Sequence, residues 1–131
     1  MPKKVLFVGH CGPDSSYLRM VVRQADPQAQ ILMADERSEL DAALTGHDLD
    51  LILFNRELGY GFDDQAGVDV IRALRATHPA VRTMLVSNYP DAQRAAELAG
   101  AVPGFGKREI GSPRVIDLLR SALSPTVDRD L

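Results

Sequence analysis

Five short apolar runs, each followed by a stretch with helical periodicity, constrain this chain more than any other feature. The runs are residues 5–8, 30–34, 51–54, 83–86 and 101–105. The first four are rich in Val, Ile, Leu and Met without polar alternation, as strands covered on both faces are. The fifth is diluted by Pro103, Gly104 and Gly106. Between the runs lie amphipathic helices. In the first, Tyr17, Leu18, Val21, Val22 and Ala25 recur at the spacing of one buried face. The second is expected to start with Asp35 as N-cap, to turn Leu40, Ala43 and Leu44 inward, and to stop at Gly46. The third, about 66–77, buries Val70, Ile71 and Leu74 and ends before Pro79. The fourth, 90–100, is alanine-rich with a thin inward face of Ala95, Leu98 and Ala99. The last opens with Ser112 and Pro113 and buries Val115, Ile116, Leu119, Ala122 and Leu123.

This is a (βα)₅ pattern. Right-handed βαβ crossovers then dictate a doubly wound α/β fold, with a five-stranded parallel sheet between helix layers. At 131 residues and 45% hydrophobic side chains, the length suits one domain with a full core. That domain is expected over 1–124, with 125–131 as a polar tail. A net charge of −3 lacks the basic stripe of a nucleic-acid module. The one cysteine, Cys11, cannot close an intrachain disulfide, and no Cys/His cluster has metal spacing. The apolar stretch 5–8 is too short for a signal-peptide core or a membrane span, so a cytoplasmic protein is expected.

In an open parallel sheet, ligands bind beyond the carboxyl ends of the strands, where strand order reverses. The strands here are followed by Gly9 and His10, by Asn55, by Ser87 and by Lys107, which are expected to converge on one crevice. Lys107 is the only lysine beyond the N-terminal pair Lys3 and Lys4. The runs VLFVGH, DLILFNREL, TMLVSNYPD and AGAVPGFGK stand in the order and at the places that resemble a CheY-like receiver domain, the phosphoacceptor module of bacterial two-component response regulators. The resemblance covers about residues 3–123. It implies an acidic pair after strand one that holds Mg²⁺, a phosphoacceptor aspartate ending strand three, and a hydroxyl and a lysine ending strands four and five.

The chain keeps half of that set. Ser87 and Lys107 match, whereas the acidic pair falls on Gly9 and His10 and the acceptor on Asn55. A carboxylate oxygen attacks phosphorus to form an acyl phosphate; a carboxamide is not such a nucleophile. Glycine offers no ligand, and histidine suits a hard cation poorly. The resemblance is therefore to an atypical receiver, a pseudo-receiver, with no cofactor and with Mg²⁺ binding lost or weak. No enzymatic activity is expected of it.

Several secondary expectations follow. Lys107, facing neutral Asn55, is expected to be under-neutralised and to bond the Asn55 carbonyl or hold an anion. His10 reads as a surface-turn histidine. In the loop RELGYGFDDQAG, longer than the family's usual one, Asp63 and Asp64 read as solvated acids, while Tyr60 and Phe62 either form an exposed patch or fold onto the third helix. The family's switch aromatic aligns with Gly104, beside Phe105. By resemblance, the working surface is the face of helix four, strand five and helix five. There Arg94, Glu97, Arg114, Asp117 and Arg120 offer mixed charges to a protein partner or a homodimer, with neither nucleic acid nor membrane involved.

Two other classes compete. Low-molecular-weight phosphatases place a cysteine after a first strand, as Cys11 is placed, but the position where that chemistry needs arginine is Tyr17. The nearest arginine, Arg19, stands too far along. A flavodoxin-like module binding a small ligand or an anion is the remaining alternative. The chain has no tryptophan to build a stacking loop.

Overall fold

The computed structural model describes residues 2–59, 61–62 and 66–124. Among the described residues five strands and five helices alternate: β1 (Lys4–Val8), α1 (Gly12–Ala25), β2 (Gln30–Ala34), α2 (Arg37–Gly46), β3 (Leu51–Asn55), α3 (Gly67–Thr77), β4 (Arg82–Val86), α4 (Pro90–Ala99), β5 (Val102–Phe105) and α5 (Pro113–Leu123), with a 3₁₀ turn at Lys107–Glu109. All pairings in the sheet are parallel, in the order β2-β1-β3-β4-β5. The fold is the expected (βα)₅ doubly wound sheet. Each strand lies within one residue of its apolar run.

Alternation along each strand sends neighbours to opposite faces. Leu6, Val8, Ile52, Phe54 and Leu85 pack with Leu40 of α2, Val70, Ile71 and Leu74 of α3 and Ala96 and Ala99 of α4. Val5, Phe7, Leu51, Leu53, Met84 and Val86 pack on the other face with Leu18, Val21 and Val22 of α1 and Val115, Leu119 and Ala122 of α5. Each fully buried Leu, Ile or Phe in these layers contributes roughly 1.5–3 kcal/mol of transfer free energy. At the far end of β4, the Arg82 guanidinium donates to the Ser121 and Ala122 carbonyls, a cation closing the C-terminus of α5.

Three details of the helices differ from expectation. Tyr17 is exposed although it continues the apolar stripe of α1, because the buried face is filled by Leu18, Val21 and Val22. The N-cap of α2 is Glu36, not Asp35, and the Asp35 N–H donates to Glu39 Oε1, 2.9 Å away. In α4, Ala96 and Ala99 face the core, Ala95 is half-buried, and Leu98 is 85% exposed. The Asp63–Asp64 pair, Tyr60 and the tail 125–131 lie outside the described residues. Among the described residues no helix is long and apolar enough to cross a membrane.

Because β1 pairs with both β2 and β3, the sheet winds outward in both directions from β1 and β3. The C-terminal ends of those two strands mark the switch point, and β4 and β5 flank it.

Candidate functional site

Asn55 ends β3 half-buried, and its amide nitrogen donates to two backbone carbonyls, Gly9 O at 3.2 Å and Glu57 O at 3.0 Å. Two acceptors on one side identify the nitrogen end of the carboxamide. A carboxylate at this point would set an anion against both carbonyls, so the local backbone suits the amide.

The loop after β3 builds the ceiling of this corner. Its ends are pinned by an antiparallel bridge between Glu57 and Ala66 and by Gly67 N–H donating to Arg56 O at 2.8 Å. Leu58 and Phe62 turn down into the α2–α4 side of the core. Phe62 is thus no exposed patch, because it and Leu58 find cover in the core. Leu58 closes over Gly9, whose φ of 77° is left-handed. A Cβ at Gly9 would stand 2.8 Å from Leu58 Cδ2 and 3.1 Å from Leu58 Cα. The place of the first expected acid is therefore occupied by a leucine from another loop.

His10 is buried, not a surface-turn residue. Its Nε2 lies 2.9 Å from the Leu53 carbonyl and donates to it, and its ring meets Phe7 edge to face with centroids 6.0 Å apart. Burial lowers its pKa from 6.5 to about 4; the Leu53 hydrogen bond opposes the shift, and Lys107 adds to it. Its Nδ1 is buried without a hydrogen-bond partner, as a neutral imidazole nitrogen tolerates and an imidazolium does not.

Lys107 does enter the crevice, but not under-neutralised. Its Nζ lies 2.6 Å from Asp14 Oδ2, in the first turn of α1. The Lys107 hydrogen bond, helped by one from the Cys11 thiol, holds the Asp14 carboxyl below its ordinary value. Asp14 supplies the charge that Asn55 lacks, reaching the lysine from a different element. Asp14 lies at the site without having been expected there; its signal in the sequence is an acid in the first turn of the helix that follows β1.

Asn55, Arg56, Glu57, Ser87, Tyr89 and Lys107 line an open cleft of about 210 Å³. Ser87 is buried, and its Oγ accepts from the Tyr89 N–H at 3.2 Å. The Arg56 guanidinium sits 4.7 Å from the Tyr89 ring centroid and 3.3 Å from Glu57 Oε1, so both cations of the cleft already face carboxylates. Of the expected set, Asn55, Ser87 and Lys107 line this cleft, Gly9 is tied to it by the Asn55 hydrogen bond to its carbonyl, and His10 turns away into the core.

A receiver-type Mg²⁺ does not fit these residues. Asp14 is bonded to Lys107, the Asn55 amide presents N–H groups rather than carboxylate oxygens and already donates to the Gly9 and Glu57 carbonyls, and Leu58 covers Gly9. Among the described residues, no three His, Cys, Asp or Glu side chains are placed to hold a metal ion.

A second concavity of about 670 Å³ runs along α4, β5 and the start of α5. Arg94, Glu97 and Arg114 of the expected face line it, together with Leu98, Pro103 and Glu109. Arg94 pairs with Asp91 at 3.6 Å and Arg114 with Glu109 at 2.5 Å. Asp117 and Arg120 are exposed on α5 outside the groove.

The sequence matches no protein-family model and no curated protein. Solved structures do match. The signal receiver domain of a DNA-binding response regulator from Colwellia psychrerythraea 34H aligns with a TM-score of 0.71 at 15% identity, over 91% of this chain and 96% of that one. A response regulator from Chloroflexus aurantiacus aligns with a TM-score of 0.77 at 15% identity, over 95% and 100%. The beryllofluoride-activated NtrC4 receiver domain dimer aligns at 0.71 with 14% identity, over 94% and 97%. At such identities the likeness is one of fold, and the fold is that of a CheY-like receiver domain.

Proposed function

We propose that the chain is an atypical receiver of two-component signalling, one that takes no phosphoryl group and acts through a protein contact on the α4–β5–α5 face. The observation that carries this reading is the Asn55 carboxamide, bonded to Gly9 O and Glu57 O where a nucleophilic carboxylate would have to stand. The Lys107–Asp14 pair supports it, since the lysine that would hold phosphoryl oxygens is already neutralised. The anion-binding alternative draws no support, because Arg56 and Lys107 both face acids.

The test is intact mass after incubation with Mg²⁺ and acetyl phosphate, beside a receiver that retains its acidic residues as a control for the donor. The mass of this protein is expected to stay unchanged while the control gains a phosphoryl group. An adduct on this protein overturns the reading.

For the contact face, the NtrC4 neighbour shows that one receiver domain pairs as a dimer. Here Leu98, 85% exposed in the groove that Arg94 and Arg114 also line, is the apolar anchor, and the Arg94–Asp91 and Arg114–Glu109 pairs form the rim. Truncated anchors dominate interface energetics, whereas rim charges set register and on-rate. Leu98→Asp is expected to weaken partner or self-association by about tenfold or more, read by sedimentation velocity. Unchanged association moves the interface elsewhere.

A further inference from the structure

Strand β5 carries an irregularity that α4 repairs. Met84 pairs with Val102 and Val86 with Phe105, so two steps along β4 face three along β5. The extra residue falls at Pro103 and Gly104, and proline has no N–H to give. The Gln93 side chain of α4 fills the break: its Nε2 lies 2.9 Å from Leu85 O, 3.1 Å from Ser87 O and 3.3 Å from Phe105 O. Three carbonyls around one nitrogen fix the orientation of the carboxamide. Its Oε1 is buried without a partner.

Gly104 makes the seat. A Cβ there would stand 2.1 Å from Leu85 O and 2.8 Å from Gln93 Oε1, so the β4 backbone excludes any side chain and the Gln93 carboxamide takes the space beside it. A second tie lies beyond it. Asn88 Oδ1 accepts from the Arg108 N–H at 3.0 Å, and a Cβ at Gly106 would fall 2.0 Å from that oxygen. Ser87 is consequently held through every backbone polar group: its N–H donates to Phe105 O at 2.9 Å and its carbonyl accepts from Gln93.

We propose that Gln93 is a latch that fastens the β4–α4 loop to the bulged β5, so that the α4–β5–α5 groove keeps one shape whatever occupies the crevice. This rests on the reading of that groove as the working surface, and it explains how such a surface presents itself without a phosphoryl signal. Gln93 and Gly104 both line the groove, so the latch and the contact face are one piece of structure. For Ser87 to shift toward Asn55, its carbonyl must leave Gln93 and its N–H must leave Phe105.

The experiment is amide hydrogen exchange and NMR relaxation dispersion on the full chain, without a phosphoryl donor. In the natural protein the Gln93 carboxamide protons are expected to exchange far more slowly than those of exposed Gln24, with no microsecond-to-millisecond exchange at residues 87–90. In Gln93→Leu, which keeps volume and removes the donor, the Ser87 N–H is expected to exchange about tenfold faster, with Leu53 unchanged. Unaltered Ser87 protection in that variant overturns the latch. If Gln93→Leu does not fold, the natural protein decides: carboxamide protons as labile as those of Gln24, or a loop already in exchange, overturn it. A phosphoryl adduct in the mass experiment overturns the reading of Asn55 and leaves the latch intact.

Discussion

Gly9→Asp, the substitution that a receiver pattern invites, destabilises the fold and restores no metal site. The backbone at Gly9 is left-handed, at φ 77°, which costs an L-residue about 1–2 kcal/mol. Overpacking against a filled neighbour costs about 1–3 kcal/mol more, and here the neighbour includes the backbone of Leu58 as well as its side chain. The expected loss is about 2–5 kcal/mol, a large fraction of the roughly 5–15 kcal/mol that holds a domain of this size. Urea unfolding measures it directly. Gly12→Ala is the control, since a Cβ there meets nothing within 4 Å, and it is expected to leave stability unchanged or to raise it by up to about 1 kcal/mol. A Gly9→Asp midpoint close to that of the natural protein means that the loop lifts off Gly9 freely. Leu58 is then not the closure described. On this account the glycine at position 9 and the placement of Leu58 are one structural fact, since the leucine occupies the space a side chain at position 9 would need.

The strands were legible because continuous apolar runs bury both faces, and the runs at 51–54 and 83–86 are too short for buried helices. Helix phase was less so where apolar residues are crowded. In α4, Ala92, Ala95, Ala96, Leu98 and Ala99 allow more than one stripe, and the sheet chose Ala96 and Ala99, leaving the largest of them outside. Asn55, Ser87 and Lys107 were expected at strand exits because a strand's end is read from its own run, and the three line one cleft. Partners were not legible: nothing local in the sequence says that Asp14, on the first turn of α1, reaches Lys107 beyond β5. The loop after β3 misled for a related reason, since its polar composition conceals that Leu58 and Phe62 are the residues that decide where it lies. The burial of His10 likewise depends on Phe7 and the Leu53 carbonyl, which only the folded sheet brings beside it.

That burial makes stability depend on pH in a window where few groups act. Unfolded, His10 takes up a proton near pH 6.5; folded, it resists until about 4, because burial disfavours the imidazolium. Between those values the unfolded chain binds more protons, so stability rises with pH and falls on acidification. At about 1.4 kcal/mol per pH unit, the full interval is worth about 3 kcal/mol. The groups facing the ring are Lys107, which disfavours its charging, and Asp14, which favours it; the first effect is the larger. Asp14 has its own dependence with the same sign, but its carboxyl is held below its ordinary value of 3.8, so that loss comes at still lower pH and the two windows separate. Urea unfolding between about pH 7 and pH 4.5 is therefore expected to show a loss of about 2–3 kcal/mol. In His10→Leu, which retains the other two histidines, the slope over that range should largely vanish, although the variant starts less stable for want of the Leu53 hydrogen bond. If the variant keeps the full slope, the imidazole charges freely in the folded state. The ring then lies in water, outside the core beside Phe7, and the second of the two acid positions is open to solvent.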